Sequence, residues 1–393
     1  EASVLCGLGT ISWRQGDYAG AKTHHEQALA IYREIGDRRG QSATLNQLGS
    51  VSRVLGDYAG AKTYHEQALR TFHEIGDRRS ESRALNNLGT VCWSQGDYAG
   101  AKVYYEQALS VYREIGDRGG ESMSLNNIGI VLHDLGDYAA ARNCYGQSLE
   151  IDREIGDRQG ESASLNNLGD ISRRLGDYAA ARTWLEQALH ISRRIGDRRI
   201  EGLVLSNLGL LSNHLDDDEA GREYSQQAFQ IAQEIGDRYD QGDAATHLGH
   251  ALVGLGCLAE AVDVYRQALN LRQGLDQPEL AMEPLAGLAR VALAQDDLTG
   301  ALAHTEEILE HLEAGSIDGT EEPFRIYLTC YQVLKACQDP RAQDILHTAH
   351  RLLQQRAARI GEKNLRCMFL ENVPAHRAIL DEIDVSQDPK AED

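Results

Sequence analysis

The side chains in this sequence best suited to chemistry are carboxamides. Asparagine stands at Asn46, at Asn86 and Asn87, at Asn126 and Asn127, at Asn166 and Asn167, and at Asn207, with corresponding positions 40 residues apart. A carboxamide carries both donors and acceptors, so a row of them can pair with the N–H and C=O groups of an extended peptide whatever its side chains are. Each such bond contributes about 0.5–1.5 kcal/mol net. About six of them sum to roughly 6 kcal/mol at the middle of that range, short of the roughly 8 kcal/mol of a micromolar complex, so side chains must supply the remainder. In the same register, one turn onward, stand Trp13, Arg53, Trp93, His133 and Arg173, while Arg83 and Arg174 add charge. The competing reading is that the asparagines bond helix to helix and the tryptophans fill gaps between units.

A second group has metal-ligating types. Asp243, His247 and His250 fall at i, i+4 and i+7, on one face of a helix, with His214 one unit earlier. A metal-dependent enzyme would use such a stripe. By contrast, His24, His25 and His65 stand where other units carry tyrosine, which marks them as packing positions. The chain has no Gly-x-Ser-x-Gly, no Cys and His pair in a defined context and no glycine-rich phosphate loop. No catalytic residue, metal or cofactor is therefore assigned, and the expectation is a protein that is not an enzyme.

The elements that position these residues repeat. Gly-Asp-Tyr begins at Gly16, Gly56, Gly96, Gly136 and Gly176, and Ile-Gly-Asp-Arg at Ile35, Ile75, Ile115, Ile155, Ile195 and Ile235. Eight units of 40 residues extend over residues 1–317. In the third, Ala84, Leu85, Leu88, Val91 and Cys92 lie on one helical face, as do Tyr98, Ala101, Tyr105, Ala108, Leu109 and Tyr112. Each junction is Gly then Asp: glycine takes the left-handed conformation that ends one helix, and aspartate caps the next. Two short turns per unit impose antiparallel pairs, each helix about 25 Å long at ~17 residues. A single pair cannot bury its apolar face alone, so neighbours must stack into a solenoid.

Leu88-Gly89, Gly96, Tyr98, Ala101, Ala108 and Leu109 resemble, in order and spacing, the signature of the tetratricopeptide repeat. Two features depart from it: the period is 40 rather than 34, and Gly-Asp replaces the proline that usually closes the second helix. The long unit is similar to the subclass of the Pins/LGN adaptors, kinesin light chains and bacterial regulators that carry such arrays behind an ATPase or cyclase domain. The resemblance implies an all-α, right-handed superhelical solenoid whose first helices line a concave groove. It also implies a peptide or protein segment as partner. Asn46, Arg53, Arg83, Asn86, Asn87, Trp93, Asn126, Asn127, Asn166, Asn167, Arg173 and Asn207 are the expected peptide-binding residues.

From residue 318 the register changes. Residues 318–360 read as a diverged ninth helical pair, 361–383 as capping helices over the last open interface, and 384–393 as an acidic disordered tail. Charge divides along the chain, with net −2 over residues 1–200 and net −19 over 201–393. The Arg-bearing early groove favours an acidic or neutral peptide, whereas Asp216 to Glu219, Asp243 and Glu283 would repel one or attract a basic segment. A variant of this idea folds the acidic tail back into the early groove. A formal net charge of −21 argues against nucleic acid or an anionic membrane as partner.

Seven scattered cysteines without Cys-x-x-Cys, and no run of 18 apolar residues, point to a cytoplasmic location. The expected role is a non-enzymatic peptide-binding module. Alternatives are the sensor or oligomerisation arm of a larger signalling protein, with self-association, or the metal-dependent enzyme above.

Overall fold

The computed structural model describes residues 1–314 and 319–387. Among the described residues there are twenty α-helices and no strand. Helices follow one another in antiparallel pairs: α1 (Ala2–Arg14) and α2 (Tyr18–Glu34), α3 (Arg38–Val54) and α4 (Tyr58–Glu74), α5 (Arg78–Ser94) and α6 (Tyr98–Ile115), α7 (Arg118–Asp134) and α8 (Tyr138–Ile155). The succession continues with α9 (Arg158–Arg174) and α10 (Tyr178–Ile195), α11 (Arg198–His214) and α12 (Asp218–Ile235), α13 (Arg238–Gly254) and α14 (Leu258–Gly274), α15 (Pro278–Ala294) and α16 (Leu298–Ala314). Then come α17 (Pro323–Ala336), α18 (Arg341–Arg359), α19 (Lys363–Glu371) and α20 (Pro374–Gln387). The fold is the expected all-α solenoid of helix pairs. The expectation of a disordered 384–393 falls largely outside the described residues, and α20 runs on to Gln387.

The joints follow from their residues. Asp17, Asp37, Asp57, Asp77, Asp97, Asp117, Asp177 and Asp197 each accept the backbone N–H three residues on, at 2.8–3.2 Å. Such a cap contributes about 1 kcal/mol. The preceding glycines are left-handed, for example Gly96 with φ 74° and Gly116 with φ 69°. Where later units lose the glycine, Asp216, Asp276 and Asp296 adopt φ of 57°, 54° and 59°. Aspartate tolerates that region better than most side chains.

Packing depends on a second set of glycines. A Cβ on Gly89 would lie 2.6 Å from the ring of Tyr105, and one on Gly249 would lie 2.4 Å from Tyr265. The small residue therefore lets the two helices of a unit meet. On the same two helices as the first contact, Leu85, Ala108, Val111 and Tyr112 form one cluster, and Tyr265 itself joins Leu252, Ala261, Leu288 and Val291 in another.

The arginine of Ile-Gly-Asp-Arg has a role that its place after the cap does not disclose. Arg118 bonds Glu121 and Glu154, each at 2.5 Å, and Arg113 bonds the same Glu121 at 2.8 Å, which joins α6, α7 and α8. Arg198 repeats the pattern with Glu201 at 2.7 Å and Glu234 at 2.6 Å. Glu121 and Glu201 are almost buried, so these clasps are worth more than ordinary surface pairs.

Contacts divide the chain into two compact units. Unit 1 comprises residues 1–135 and 147–157, and unit 2 comprises 136–146 and 158–393, so the boundary falls within α8.

Candidate functional site

In unit 1 the first helices of successive pairs present the asparagines as a ladder. Asn87 Nδ2 donates to Asn46 Oδ1 at 3.1 Å, and Asn127 Nδ2 donates to Asn86 Oδ1 at 3.1 Å. His65 places its Nδ1 2.8 Å from the same Asn46 oxygen. Burial, with Arg53 nearby, lowers the His65 pKa to about 4, so the ring is neutral near pH 7. Each rung uses one N–H of one amide and a lone pair of the next, leaving part of each group's capacity. Asn86 is buried at 7% exposure, while Asn46, Asn87, Asn126 and Asn127 are half-buried. The ladder is thus a helix-to-helix connection first, and what it offers a partner comes from the half-buried members.

The groups beside the ladder are more open. Trp93 is 40% exposed, with its Nε1 donating to Asp134 Oδ2 at 2.6 Å. It lines a pocket with Thr90, Tyr105, Asn127 and Ile130. Tyr105 donates its hydroxyl to Thr90 at 3.1 Å, fixing the floor. Arg83 is exposed and Arg53 half-buried, whereas Trp13 packs edge-on against Tyr18 with ring centroids 5.2 Å apart.

Unit 2 is built differently. Asn207 Nδ2 donates to Asn166 Oδ1 at 3.0 Å, and both residues are buried. Further along α9, Arg173 and Arg174 bond Asp170 at 2.5 and 3.0 Å. Arg173 is only 1% exposed. It therefore does not stand on a free surface as the sequence reading required. The reason is a polar network anchored by the residues just before α17. Arg174 donates to the carbonyl of Glu321 at 2.8 Å, and His247 Nε2 meets the Glu321 carboxylate at 2.8 Å. Glu322 bonds His214 at 2.6 Å and Arg325 at 2.7 Å, and its own N–H donates to Glu283 at 2.8 Å.

Electrostatics follow that geometry. Burial opposes the charged form of Glu321, but His247 and the guanidinium groups of Arg173 and Arg174 outweigh it, and the pKa falls to about 2. The same contest holds Glu322 well below the usual carboxylate range, through Arg325 and His214. Glu283 goes the other way: burial and the neighbouring Glu321 raise it to about 7. His247 is raised, since its carboxylate neighbours overcome burial, whereas burial keeps His214 and His250 below the ordinary imidazole value.

The stripe of Asp243, His247 and His250 serves this network. His247 Nδ1 faces Ser206 at 2.9 Å, His250 Nδ1 faces Tyr265 at 2.7 Å, and Asp243 pairs with Arg272. No group of three His, Cys, Asp or Glu among the described residues is placed to hold a metal ion. Asp243 and Glu283 are likewise spent within the fold, so they are not the free acids expected to attract a basic segment.

The C-terminal helices reach back along unit 2. Besides following α17 and α18, they meet the joint after α9: Asn372 Nδ2 donates to the Gly176 carbonyl at 3.0 Å, and Tyr178 donates to the Asn372 carbonyl at 3.3 Å. Phe369 lies 6.3 Å from the ring of Tyr138. Gly176 has φ 76°, and a Cβ there would lie 2.5 Å from the Met368 carbonyl oxygen. Gly176→Ala should thus cost about 2 kcal/mol from backbone strain and overpacking. It should also raise hydrogen exchange in 363–387; unchanged exchange would show that this contact does not hold the helices.

Two tetratricopeptide repeat models match the chain, one over residues 1–51, 40–114, 121–194 and 201–274 and the other over 282–307. No curated protein sequence matches it. Among solved structures it is similar to the apo form of RapI (TM-score 0.59, 17% identity, covering 70% of this chain and 99% of that one). It is also similar to a Rap protein complexed with competence and sporulation factor (TM-score 0.56, 14% identity, 98% and 99% covered). A third is a signal transduction ATPase with a tetratricopeptide repeat sensor from Pyrococcus horikoshii (TM-score 0.50, 17% identity, 93% and 55% covered). No helix among the described residues is long and apolar enough to cross a membrane. Tetratricopeptide repeat proteins are generally scaffolds for protein interaction. With its helix pairs, its glycine contacts and family-model matches over most of its length, the chain belongs to the tetratricopeptide repeat family.

Proposed function

We propose that unit 1 binds an extended protein segment along the face formed by α3, α5 and α7, without catalysing a reaction on it. The observation that carries this reading is Trp93, a large aromatic left 40% exposed beside the amide ladder. Its pocket, shared with Thr90, Asn127 and Ile130, takes one side chain of the segment. Asn46, Asn87, Asn126 and Asn127 pair with the main chain, and Arg53 and Arg83 favour an acidic or neutral sequence. Exposed aromatic and arginine side chains are the residue types that most often carry binding energy at interfaces. The similarity in fold to a Rap protein complexed with competence and sporulation factor supports a bound partner for an array of this kind.

The test is selection of a displayed library of random 12-residue peptides on the whole chain. Affinities of the selected peptides are then measured for wild type, Trp93→Ala and Asn87→Ala. We expect Trp93→Ala to weaken binding at least tenfold and Asn87→Ala severalfold. Peptides retained equally by all three proteins would remove the proposal.

A further inference from the structure

Glu321 and Glu322 are bound by unit 2 much as a short peptide would be. Their carboxylates are met by His247 on α13 and by His214 on α11. Their main chain is met by Arg174 on α9, which takes the Glu321 carbonyl, and by Glu283 on α15, which takes the Glu322 N–H. Four successive first helices thus read one dipeptide through both side chains and backbone. Only Arg325 comes from the helix that follows the dipeptide.

We infer that Glu321-Glu322 is an internal ligand occupying a receptor site for a protein segment with two adjacent carboxylates, and that such a segment competes with it. Without the two carboxylates, Arg173, Arg174, Arg290 and Arg325 would lose their two nearest strong acids: Asp170 would remain on Arg173 and Arg174, with Asp216 and Asp218 on the Arg290 and Arg325 side. Cationic capacity is unsaturated even with the dipeptide in place: Arg173 is 1% exposed and its Nε has no partner, and the Arg290 Nε has none either. A pocket beside Glu322, lined by Asn213, Asp216, Arg290, Arg325, Gln332 and Pro374, gives an approach, with two arginines against one further acid. Exchange of one diacid for another in the same contacts is nearly neutral in energy. The disadvantage of an outside segment is the effective concentration of the tethered one, in the millimolar range for short tethers. An occupied site lowers apparent affinity by the fraction of molecules in which it is open. The proposal concerns unit 2 alone and does not depend on the reading of unit 1.

The probe is a fluorescein-labelled peptide of sequence Gly-Thr-Glu-Glu-Pro-Phe, copying residues 319–324, with Gly-Thr-Gln-Gln-Pro-Phe as its partner control. Anisotropy is read against wild type, Glu321→Gln/Glu322→Gln, and the same double variant carrying Arg174→Met. The double variant should bind the Glu-Glu peptide at least tenfold tighter than wild type does, ignore the Gln-Gln peptide, and lose most of its affinity with Arg174→Met. Equal binding of the two peptides, or no gain over wild type in a double variant whose α9–α15 amides remain protected, overturns the inference. If the double variant does not fold, the wild-type protein decides. Millimolar unlabelled Glu-Glu peptide should accelerate hydrogen exchange of the 320–322 amides, and unchanged exchange overturns it. Free glutarate matching the peptide would also overturn it, since the site would then take a small dicarboxylate rather than a protein segment.

Discussion

Replacing Glu322 with alanine is expected to destabilise unit 2 by about 3 kcal/mol, the lower end of what is found when one partner of a buried pair is removed. The carboxylate serves His214 at 2.6 Å and Arg325 at 2.7 Å, and lies 3.8 Å from His250. Truncation strands Arg325 and brings it into unrelieved repulsion with Arg290. The loss stays at the low end because Arg325 keeps 27% of its side chain in water. Glu322→Gln should lose less, since an amide oxygen still accepts from Arg325. In a unit of this size the alanine variant should melt about 6–12 °C lower, and exchange protection should fall in α11, α13 and α17 while α3 and α5 keep theirs. A loss below about 1 kcal/mol would mean that water screens the cluster and that the network is an ordinary surface arrangement.

That network marks where the sequence stopped being sufficient. The repeat itself was legible because each unit states the same local instructions: a left-handed glycine, a capping aspartate, an apolar face and a small residue at Gly89 or its equivalents. The asparagine ladder was legible as a row but not in its use, since one residue type can serve a neighbouring helix or a visiting peptide. Only coordinates distinguish the Asn87 to Asn46 bond from a vacant amide. In unit 2 the clue was departure from the period. Asp170, His250 and Arg290 share one register with Thr10, Ser50 and Thr90, and Arg272 stands where Tyr32, Phe72 and Tyr112 do. Each substitution puts a charged or titratable group into a position that another unit fills with a small hydroxyl or an aromatic ring. Read together, they called for compensating partners. Glu321 and Glu322 were out of reach of that reasoning because they lie after the change of register, 74 and 108 residues from His247 and His214 respectively. Docking of α19 on Gly176 is hidden for the same reason. Nothing local in Met368 or Asn372 announces a contact nearly 200 residues away in the chain.

Glu283→Gln should raise stability at pH 8 by about 3 kcal/mol and change little at pH 4.5. Glu283 is 8% exposed and is faced by Glu321 and Glu322 from the segment before α17 and by His247 from α13. Burial and the first of these carboxylates lift its pKa to about 7, against roughly 4.3 in an unfolded chain. Below the unfolded value both states hold the proton and the group is silent. Between the two values the unfolded chain ionises while the native one does not, so stability falls as pH rises, and above 7 the whole penalty is present. Glutamine removes that penalty and still offers an oxygen to the Glu322 N–H. Glu321 sets the acid limb with the opposite sign. Its pKa is depressed to about 2, so its contribution is complete above the unfolded value and is lost as pH falls from there towards 2. Wild-type stability should therefore peak where these limbs meet, at about the unfolded carboxyl value of roughly 4.3, and Glu283→Gln should flatten the alkaline one alone. Thermal melts at pH 4.5, 6, 7 and 8 decide it: a melting difference between the two proteins that is constant across the series would show that Glu283 is ionised in the fold throughout, and that its bond to the Glu322 N–H is made by a carboxylate.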